Sequence, residues 1–372
     1  MKKLNIVIFG PSIISLWGNN HATTFRNLMK ALHQRGHKIT FFEKDVSKYE
    51  SKHAIHRDLP TTPFCNTILY QSPHEIHRHE TIIAQADLVI LSSYVTDAVT
   101  LANSIAALSP TCFAFYDLDT PTTLAKLQQR DFSCLTPAMI SNFDIYFSFT
   151  GGRALARLQN IYSAQRVHTL HSCVDPDLYF PEIDSTATMQ RSFPPEYVLG
   201  YLGNYHEDRQ QALNRLLLDP ATKNGHLQFC VAGAHYPARL DWPHNVKIIE
   251  QISAHQRRHF YNSQRFALTV SQRGLDYSPS VHLFEAGACS TPVITDYWEG
   301  LDSFFVIGKE ILIAQDADEV LEHLNMHRDD RRALGRRMWE KIMSAHTSTH
   351  RAIEIENHWR EALAEPQMAA GF

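Results

Sequence analysis

The sequence predicts an α/β protein of two doubly wound halves, each a parallel sheet sandwiched by helices. Three observations lead there. Short, almost wholly apolar runs recur along the chain and end in Gly, Pro or Ser, as 4–9 does before Gly10-Pro11-Ser12; strands buried on both faces have that composition. Stretches with apolar residues at helical spacing alternate with these runs, and alternation of strand and helix builds a parallel sheet. After 173–197, which carries Pro176, Pro181, Pro194 and Pro195 and little periodicity, the same rhythm restarts at Val198-Leu199-Gly200-Tyr201-Leu202-Gly203. At 372 residues, two domains of ordinary size are expected.

In the first half the strand at 4–9 precedes a helix over 22–35, whose Phe25, Leu28, Met29 and Leu32 share one face and whose C-cap is Gly36. Strands follow at 39–43, 87–92, 111–116 and 144–149, separated by helices near 74–85, 94–108 and 121–129. In the second half strands fall at 198–203, 227–232, 246–249, 266–271, 292–295 and 310–314. Ser253 with Gln256 forms a capping box opening a helix over 254–262, and Asp316 with Glu319 opens one carrying Val320, Leu321 and Leu324. The last helix, 349–363, carries Ile353, Ile355, Trp359 and Leu363. The domains are thus 1–172, a linker at 173–197, 198–346, and a terminal segment at 347–372. Ligands of open α/β sheets bind at the C-terminal strand ends, so both sets of ends are expected to border one cleft.

Composition narrows the function. Lys and Arg number 35 against 39 Asp and Glu, a formal charge of −4. That lacks the basic excess a general nucleic-acid or membrane-surface binder needs. A 44% hydrophobic and 20% charged chain is an ordinary globular one, not disordered or fibrous. Cys65, Cys112, Cys134, Cys173, Cys230 and Cys289 share no CxxC spacing and read as small hydrophobes of a reducing compartment. The opening apolar run breaks at Gly10-Pro11 without a cleavage site, and no run approaches the ~20 residues of a membrane span. A cytoplasmic protein is expected.

No nucleotide cofactor is indicated. A dinucleotide fingerprint needs several close glycines after the first strand, whereas only Gly10 fits and Ile13-Ile14 are bulky; no Walker A loop occurs. The informative stretch is 274–300. Ser278-Pro279-Ser280 makes a turn with Ser280 as N-cap of a helix running through Cys289. The amides of Val281 and His282, at the positive helix end, suit a diphosphate without a metal. Glu285, about a turn further on, is placed to accept hydrogen bonds from a ribose. Ala286, Gly287 and Ala288 let the helix pack closely.

This stretch resembles the nucleotide-binding segment of GT-B glycosyltransferases, in the family-4-like branch containing the spore-maturation (CgeB-type) enzymes. The resemblance rests on Tyr277-Ser278-Pro279-Ser280, Leu283-Phe284-Glu285-Ala286, Ala288-Cys289 and Thr291-Pro292-Val293-Ile294-Thr295-Asp296, continued by Trp298-Glu299-Gly300-Leu301 and 308–312. Weaker matches are 17–24, 116–121, 148–152 and 174–179. It implies a GT-B architecture, two Rossmann-like domains facing across a cleft with the C-terminal helix crossing back. It also implies metal-independent transfer of a sugar from a UDP-, GDP- or dTDP-sugar, the donor substrate, to an acceptor hydroxyl. Glu285 maps onto the ribose-binding glutamate. Ser280 and Arg209, with Arg273 as a second cation, would hold the phosphates, and Gly203, Tyr277, Ser278, Val281 and His282 would line the donor. Two departures stand out: Tyr277 replaces a second glutamate common in retaining relatives, and Arg209 is the only cation of the loop after Gly203.

In the first half, loops after strands supply the acceptor candidates. His21, beside Asn20, is a general-base candidate, since imidazole titrates near ~6.5; its alternative is a helix cap. Asp117 and Asp119 are acceptor-activating candidates, and Asp119 is alternatively the cap of a helix at Pro121. Ser12 and the turn Thr150-Gly151-Gly152 are candidate acceptor or phosphate loops. Asp117-Leu118-Asp119 also matches a metal-holding pattern of another glycosyltransferase fold. His74, His77 and His79 are read as a solvated helix face, and 328–337 as an exposed helix with an apolar stripe. The rival readings are a nucleotide-sugar epimerase and a catalytically degenerate scaffold.

Overall fold

The structure is a computed structural model describing residues 2–11, 13, 20–45, 63–182, 196–250, 252–271 and 276–364. It divides into two compact units, Met1–His171 with Ser348–Phe372, and Ser172–Thr347.

The first unit holds a seven-stranded sheet of β1 (Asn5–Phe9), β2 (Lys38–Lys44), β3 (Asn66–Tyr70), β4 (Leu88–Ser92), β5 (Phe113–Asp117), β6 (Ile145–Ser148) and β7 (Val167–Thr169). Its order is β3-β2-β1-β4-β5-β6-β7, and every pair is parallel. β4, β5 and β6 are buried at every position, which is why they read as apolar runs. The edge strands β3 and β7 were not expected; each is covered less completely and carries polar residues in its run.

Alternate β1 residues serve two cores. Ile6 and Ile8 join Phe25, Leu28 and Leu32 of helix Asn20–Gln34 on one face, while Val7 and Phe9 join Phe42 and Tyr70 on the other. The terminal helix Ser348–Ala364 belongs to this unit. Its Ala352, Ile355 and Trp359 complete the first face, and the Trp359 indole donates to the Asp87 carbonyl at 2.9 Å. Its Glu356 is buried and accepts from Arg35 at 2.6 and 2.7 Å and from His37 Nε2 at 2.7 Å. His37 Nδ1 takes the Leu4 amide proton at 3.0 Å, so the ring's own proton sits on Nε2, facing the carboxylate.

Near 74–85 the chain forms a 3-10 helix, Pro73–His79, before helix Glu80–Ala84. The next helix begins only at Ala98, because Tyr94 and Asp97 take left-handed φ of 66° and 61°.

The second unit holds β8 (Tyr197–Leu202), β9 (Phe229–Ala232), β10 (Val246–Ile249), β11 (Gln264–Thr269), β12 (Val293–Thr295) and β13 (Leu312–Ile313). They form a parallel sheet in the order β10-β9-β8-β11-β12-β13. The expected capping box is present: the Ser253 amide donates to Gln256 Oε1 at 2.8 Å at the start of helix Ala254–Asn262. Asp316 caps helix Ala317–Leu324 through the amides of Asp318 and Glu319, both at 3.0 Å. Helix Arg328–Ala345 buries Leu334, Met338 and Ile342. A Cβ at Gly287 would stand 2.2 Å from Ile342, so the small residue sets how closely two helices approach.

The stretch expected as a linker is built into this unit where it is described. Val174 bridges to Thr347, Tyr179 is fully buried, and the Glu182 amide donates to Asn262 at 2.9 Å. Among the described residues no helix is long and apolar enough to cross a membrane. The six cysteines are free thiols, with Cys112, Cys173, Cys230 and Cys289 buried.

Candidate functional site

In a doubly wound sheet the crevice for a ligand opens where the strand order reverses. In the second unit β9 lies on one side of β8 and β11 on the other, so the carboxyl ends of β8 and β11 flank that point. β8 is followed by Gly203, whose amide donates to the Ala232 carbonyl at 2.9 Å and whose carbonyl accepts from the Tyr236 hydroxyl at 2.8 Å. A Cβ at Gly233, φ 157°, would lie 2.0 Å from the Gly203 carbonyl oxygen. The ends of β8 and β9 thus meet backbone against backbone. Asn204 continues the brace, accepting from the Ala234 amide at 3.0 Å.

Arg209 follows in helix Glu207–Leu213, beside the buried Tyr201 phenol. Burial pushes that phenol up, and the Arg209 guanidinium partly opposes the shift. Beyond β11 and β12, Ser271 donates its amide and hydroxyl to Asp296 at 2.8 and 2.6 Å. Gly203, Tyr201, Arg209, Ser271 and Asp296 therefore line neighbouring strand ends. Ser271 and Asp296 were missed as site residues, although Asp296 closes the quoted motif.

The Ser-Pro-Ser bend sits as its sequence implies. Ser280 is exposed and caps helix Val281–Ala288, accepting from the His282 amide at 3.3 Å, while the Pro279 carbonyl takes the Ser172 hydroxyl at 3.3 Å. Tyr277 stands just before it with a left-handed φ of 52°, its amide on the Glu299 carbonyl at 2.7 Å and its ring against Gly300. Ser278 is half-buried. Arg273 lies outside the described residues.

Glu285 differs from expectation. Its side chain is 0% exposed, and its oxygens are taken within the fold. Arg257 Nη1 lies 3.4 Å from Oε1; Oε2 accepts from the Tyr261 hydroxyl at 2.8 Å and lies 3.1 Å from His282 Nδ1. Burial alone would raise its pKa, but Arg257, the His282 ring and Tyr179 outweigh burial and hold it at about 2. Glu285 is a buried carboxylate anchoring three elements and presents no oxygen to a ribose. Arg257 and Tyr261, one helical turn apart, were also missed; their i,i+4 spacing on the capped helix is the signal that places them on one face.

In the first unit the strand order reverses between β1 and β4. Ile13 beyond β1 is held by its amide on Glu43 at 2.9 Å and its carbonyl on Arg26 at 2.8 Å. Asn20 and His21 open helix Asn20–Gln34, but their side chains, like Ser12, lie outside the described residues.

Asp117 does not fit acceptor activation. It is fully buried, accepting from Tyr146 at 2.7 Å, Thr123 at 2.9 Å and the Asp119 amide at 3.2 Å, and burial raises its pKa. Asp119 takes the capping alternative: it accepts from the Thr122 amide at 3.3 Å and hydroxyl at 2.8 Å. Its Oδ2 also accepts from the Tyr94 hydroxyl at 2.9 Å, an exposed group that periodicity could not single out. With Asp117 turned into the core, the Asp-x-Asp pair does not offer two outward carboxylates to a metal.

Ser148 organises the turn at 150–152. Its hydroxyl donates to the Thr150 carbonyl at 2.6 Å and accepts the Thr150 amide at 3.1 Å, so that amide is already committed. The Thr150 hydroxyl is buried with no hydrogen-bond partner among the described residues. Gly151 is buried, and Gly152, φ 60°, opens helix Arg153–Tyr162.

Among the described residues one trio of potential metal ligands lies within 4.8 Å, His168, His358 and Glu361. The two imidazoles stack face to face, centroids 3.6 Å apart and planes 17° from parallel. Ring nitrogens donate in the ring plane, so stacked rings aim side by side instead of at one ion. His77 pairs with Glu80 at 2.6 Å on the surface, as expected of a solvated face.

The profile of the glycosyl transferase-like family matches residues 209–357. No curated protein sequence matches the chain. Among solved structures, a sucrose-phosphate synthase from Thermosynechococcus elongatus is similar at 14% identity, covering 96% of this chain and 99% of that one with a TM-score of 0.68. Anabaena Alr3699/HepE, solved with UDP and glucose, is 10% identical over 96% and 100% of the two chains, TM-score 0.68. An alpha-glucosyltransferase solved with UDP-glucose and DNA containing an abasic site is 12% identical over 96% and 100%, TM-score 0.70. With its two doubly wound parallel sheets, the chain has a GT-B architecture, and a glycosyl transferase-like segment spans most of its second unit.

Proposed function

We propose that the protein transfers a sugar from a nucleoside-diphosphate donor to an acceptor hydroxyl. The observation that carries this is the reversal point of the second sheet, where the glycine-braced end of β8, Arg209 and the Ser280-capped helix follow adjacent strands. Cleaving the anomeric C–O bond leaves charge on the departing diphosphate, and Arg209 with the helix amides supplies positive potential there. That pairing lets transfer proceed without a metal. Relatives of the same fold were solved with UDP or UDP-glucose, which makes a UDP-sugar the first donor to try. Some were also solved with DNA, but the formal charge of −4 here argues against a nucleic-acid acceptor. On the acceptor side Asp117 and Asp119 are committed to the fold, and His21 is the remaining general-base candidate. We place the protein in the cytoplasm, as a member of the CgeB-type branch.

The test is nucleoside-diphosphate release from UDP-glucose, GDP-mannose and dTDP-glucose, with and without EDTA. We expect release from one of them, insensitive to EDTA and reduced about 100-fold by Arg209→Ala. Release accompanied by an epimerised free sugar would instead identify an epimerase. Absence of both release and binding would identify a scaffold, a reading that the Tyr277 replacement and the burial of Glu285 favour.

A further inference from the structure

Four guanidiniums gather at the amino ends of the second sheet's strands, opposite the carboxyl ends described above. Arg328, Arg331 and Arg332 open helix Arg328–Ala345 at i, i+3 and i+4, a spacing that puts them on one face. Arg265 comes from the start of β11. Backbone packing brings helix and strand together. A Cβ at Gly335, one turn beyond Arg331, would stand 2.4 Å from the Ser290 carbonyl oxygen and 3.2 Å from Pro292, just before β12. The Pro292 carbonyl accepts the Ala267 amide at 2.9 Å, and Arg265 lies two residues before Ala267, on the same face of β11. That face also receives the helix, for Ala267 packs in one cluster with Met338 and Ile342.

This arrangement is costly as it stands. Arg265, Arg331 and Arg332 are half-buried, and like charges at helical i, i+3 and i, i+4 repel. Burial and the three neighbouring guanidiniums lower the Arg331 pKa, and no carboxylate opposes them. Among the described residues none of the four side chains makes an ion pair or a hydrogen bond. Asp329 and Asp330, next to them in sequence, are exposed, and Asp329 lies 3.8 Å from His327. A chain of formal charge −4 thus concentrates positive charge at a place that sugar transfer does not use.

We propose that Arg265, Arg328, Arg331 and Arg332 form a second anion site, which binds the phosphate of a small, multiply charged ligand. A guanidinium offers a planar fork of donors that matches two phosphate oxygens, so an anion among several forks replaces repulsion with charge-assisted hydrogen bonds. The six residues of β11, about 17 Å of strand, separate this site from the donor end. A flat anionic bilayer fits less well, because it would meet the exposed Asp329 and Asp330 together with the arginines.

The experiment is calorimetric titration of the full chain with sodium pyrophosphate, at an ionic strength held constant with chloride. We expect binding that Arg265→Gln combined with Arg331→Gln weakens at least about tenfold. Pyrophosphate could also enter the donor end, so the titration is repeated in Arg209→Ala. Binding should persist there and fall only when the two glutamines are added. If the glutamine pair does not fold, Arg265→Lys with Arg331→Lys keeps both charges, removes both forks and should still weaken binding. Thermal melts supply a second readout. Without phosphate at low salt, Arg331→Gln should melt above the wild type because it relieves repulsion, and pyrophosphate should reverse that order. A wild type that does not bind pyrophosphate, or variants that bind it equally well, overturn the inference. So does sedimentation with phosphatidylglycerol vesicles by a chain indifferent to pyrophosphate, which would identify a bilayer-facing patch.

Discussion

Two carboxylates, one in each unit, are equally buried and electrostatically opposite. Asp117 in the first unit is met by Tyr146, Thr123 and a backbone amide, all neutral, with Asp119 close by, and burial raises its pKa. Glu285 in the second unit is met by Arg257 and His282 as well as Tyr261, and its pKa is held at about 2. At Asp117 the neutral hydrogen bonds do not offset desolvation, whereas at Glu285 the adjacent guanidinium, with the His282 and Tyr179 contacts, does. The type of partner, not the depth of burial, decides which acid stays charged. It also decides which acid can orient a neighbouring ring by its charge.

Isosteric amides give the widest separation. Glu285→Gln leaves Arg257 enclosed without a counter-charge and should cost about 3–5 kcal/mol in urea unfolding of the full chain. Asp117→Asn should cost only about 1 kcal/mol, since the Tyr146 hydroxyl can turn and accept. Adding Arg257→Met to Glu285→Gln should recover part of the loss; equal costs for the two amides would remove the contrast.

Acid titration should split the pair by sign. The Glu285 pKa is depressed from 4.5 to about 2 on folding, so its contribution is present above about pH 4.5 and drains away as pH falls toward 2. The integral is about 3 kcal/mol. The Asp117 pKa is raised on folding, so its contribution is present in acid and is lost as pH climbs through its folded value. Stability curves of Glu285→Gln and Asp117→Asn, each subtracted from wild type, should therefore slope in opposite directions: the Glu285 difference grows with pH between about 2 and 4.5, and the Asp117 difference shrinks as pH rises above 3.8.

The smallest effect concerns the stacked imidazoles of the first unit. Burial and the neighbouring His358 lower the His168 pKa to about 4, from 6.5. Stability from this site is intact above about pH 6.5 and declines toward pH 4, by about 1 kcal/mol once the shift is discounted for the ring's partial exposure. His168→Asn should flatten that shallow decline in thermal melts, and an unchanged slope would locate it elsewhere.

The residues themselves announced much of this. β4, β5 and β6 read as strands because both faces are covered, and Ser253-Gln256, Asp316-Glu319 and Ser280 announce their helices because capping is local chemistry. β3 and β7 escaped because an edge strand is not covered as completely and lacks the apolar run. Asp119 showed both of its possible roles, and the fold took the capping one.

What the sequence by itself determined was the two-sheet plan, the capped helix after Ser-Pro-Ser and the set of acids and rings near strand ends. Those follow from interactions within a few residues of one another. What only the tertiary structure decided was which of these groups face out. Arg257 reaches Glu285 across 28 positions and Tyr146 reaches Asp117 across 29. Such encounters depend on how helices and strands pack, and they alone turned two promising acids into anchors of the fold.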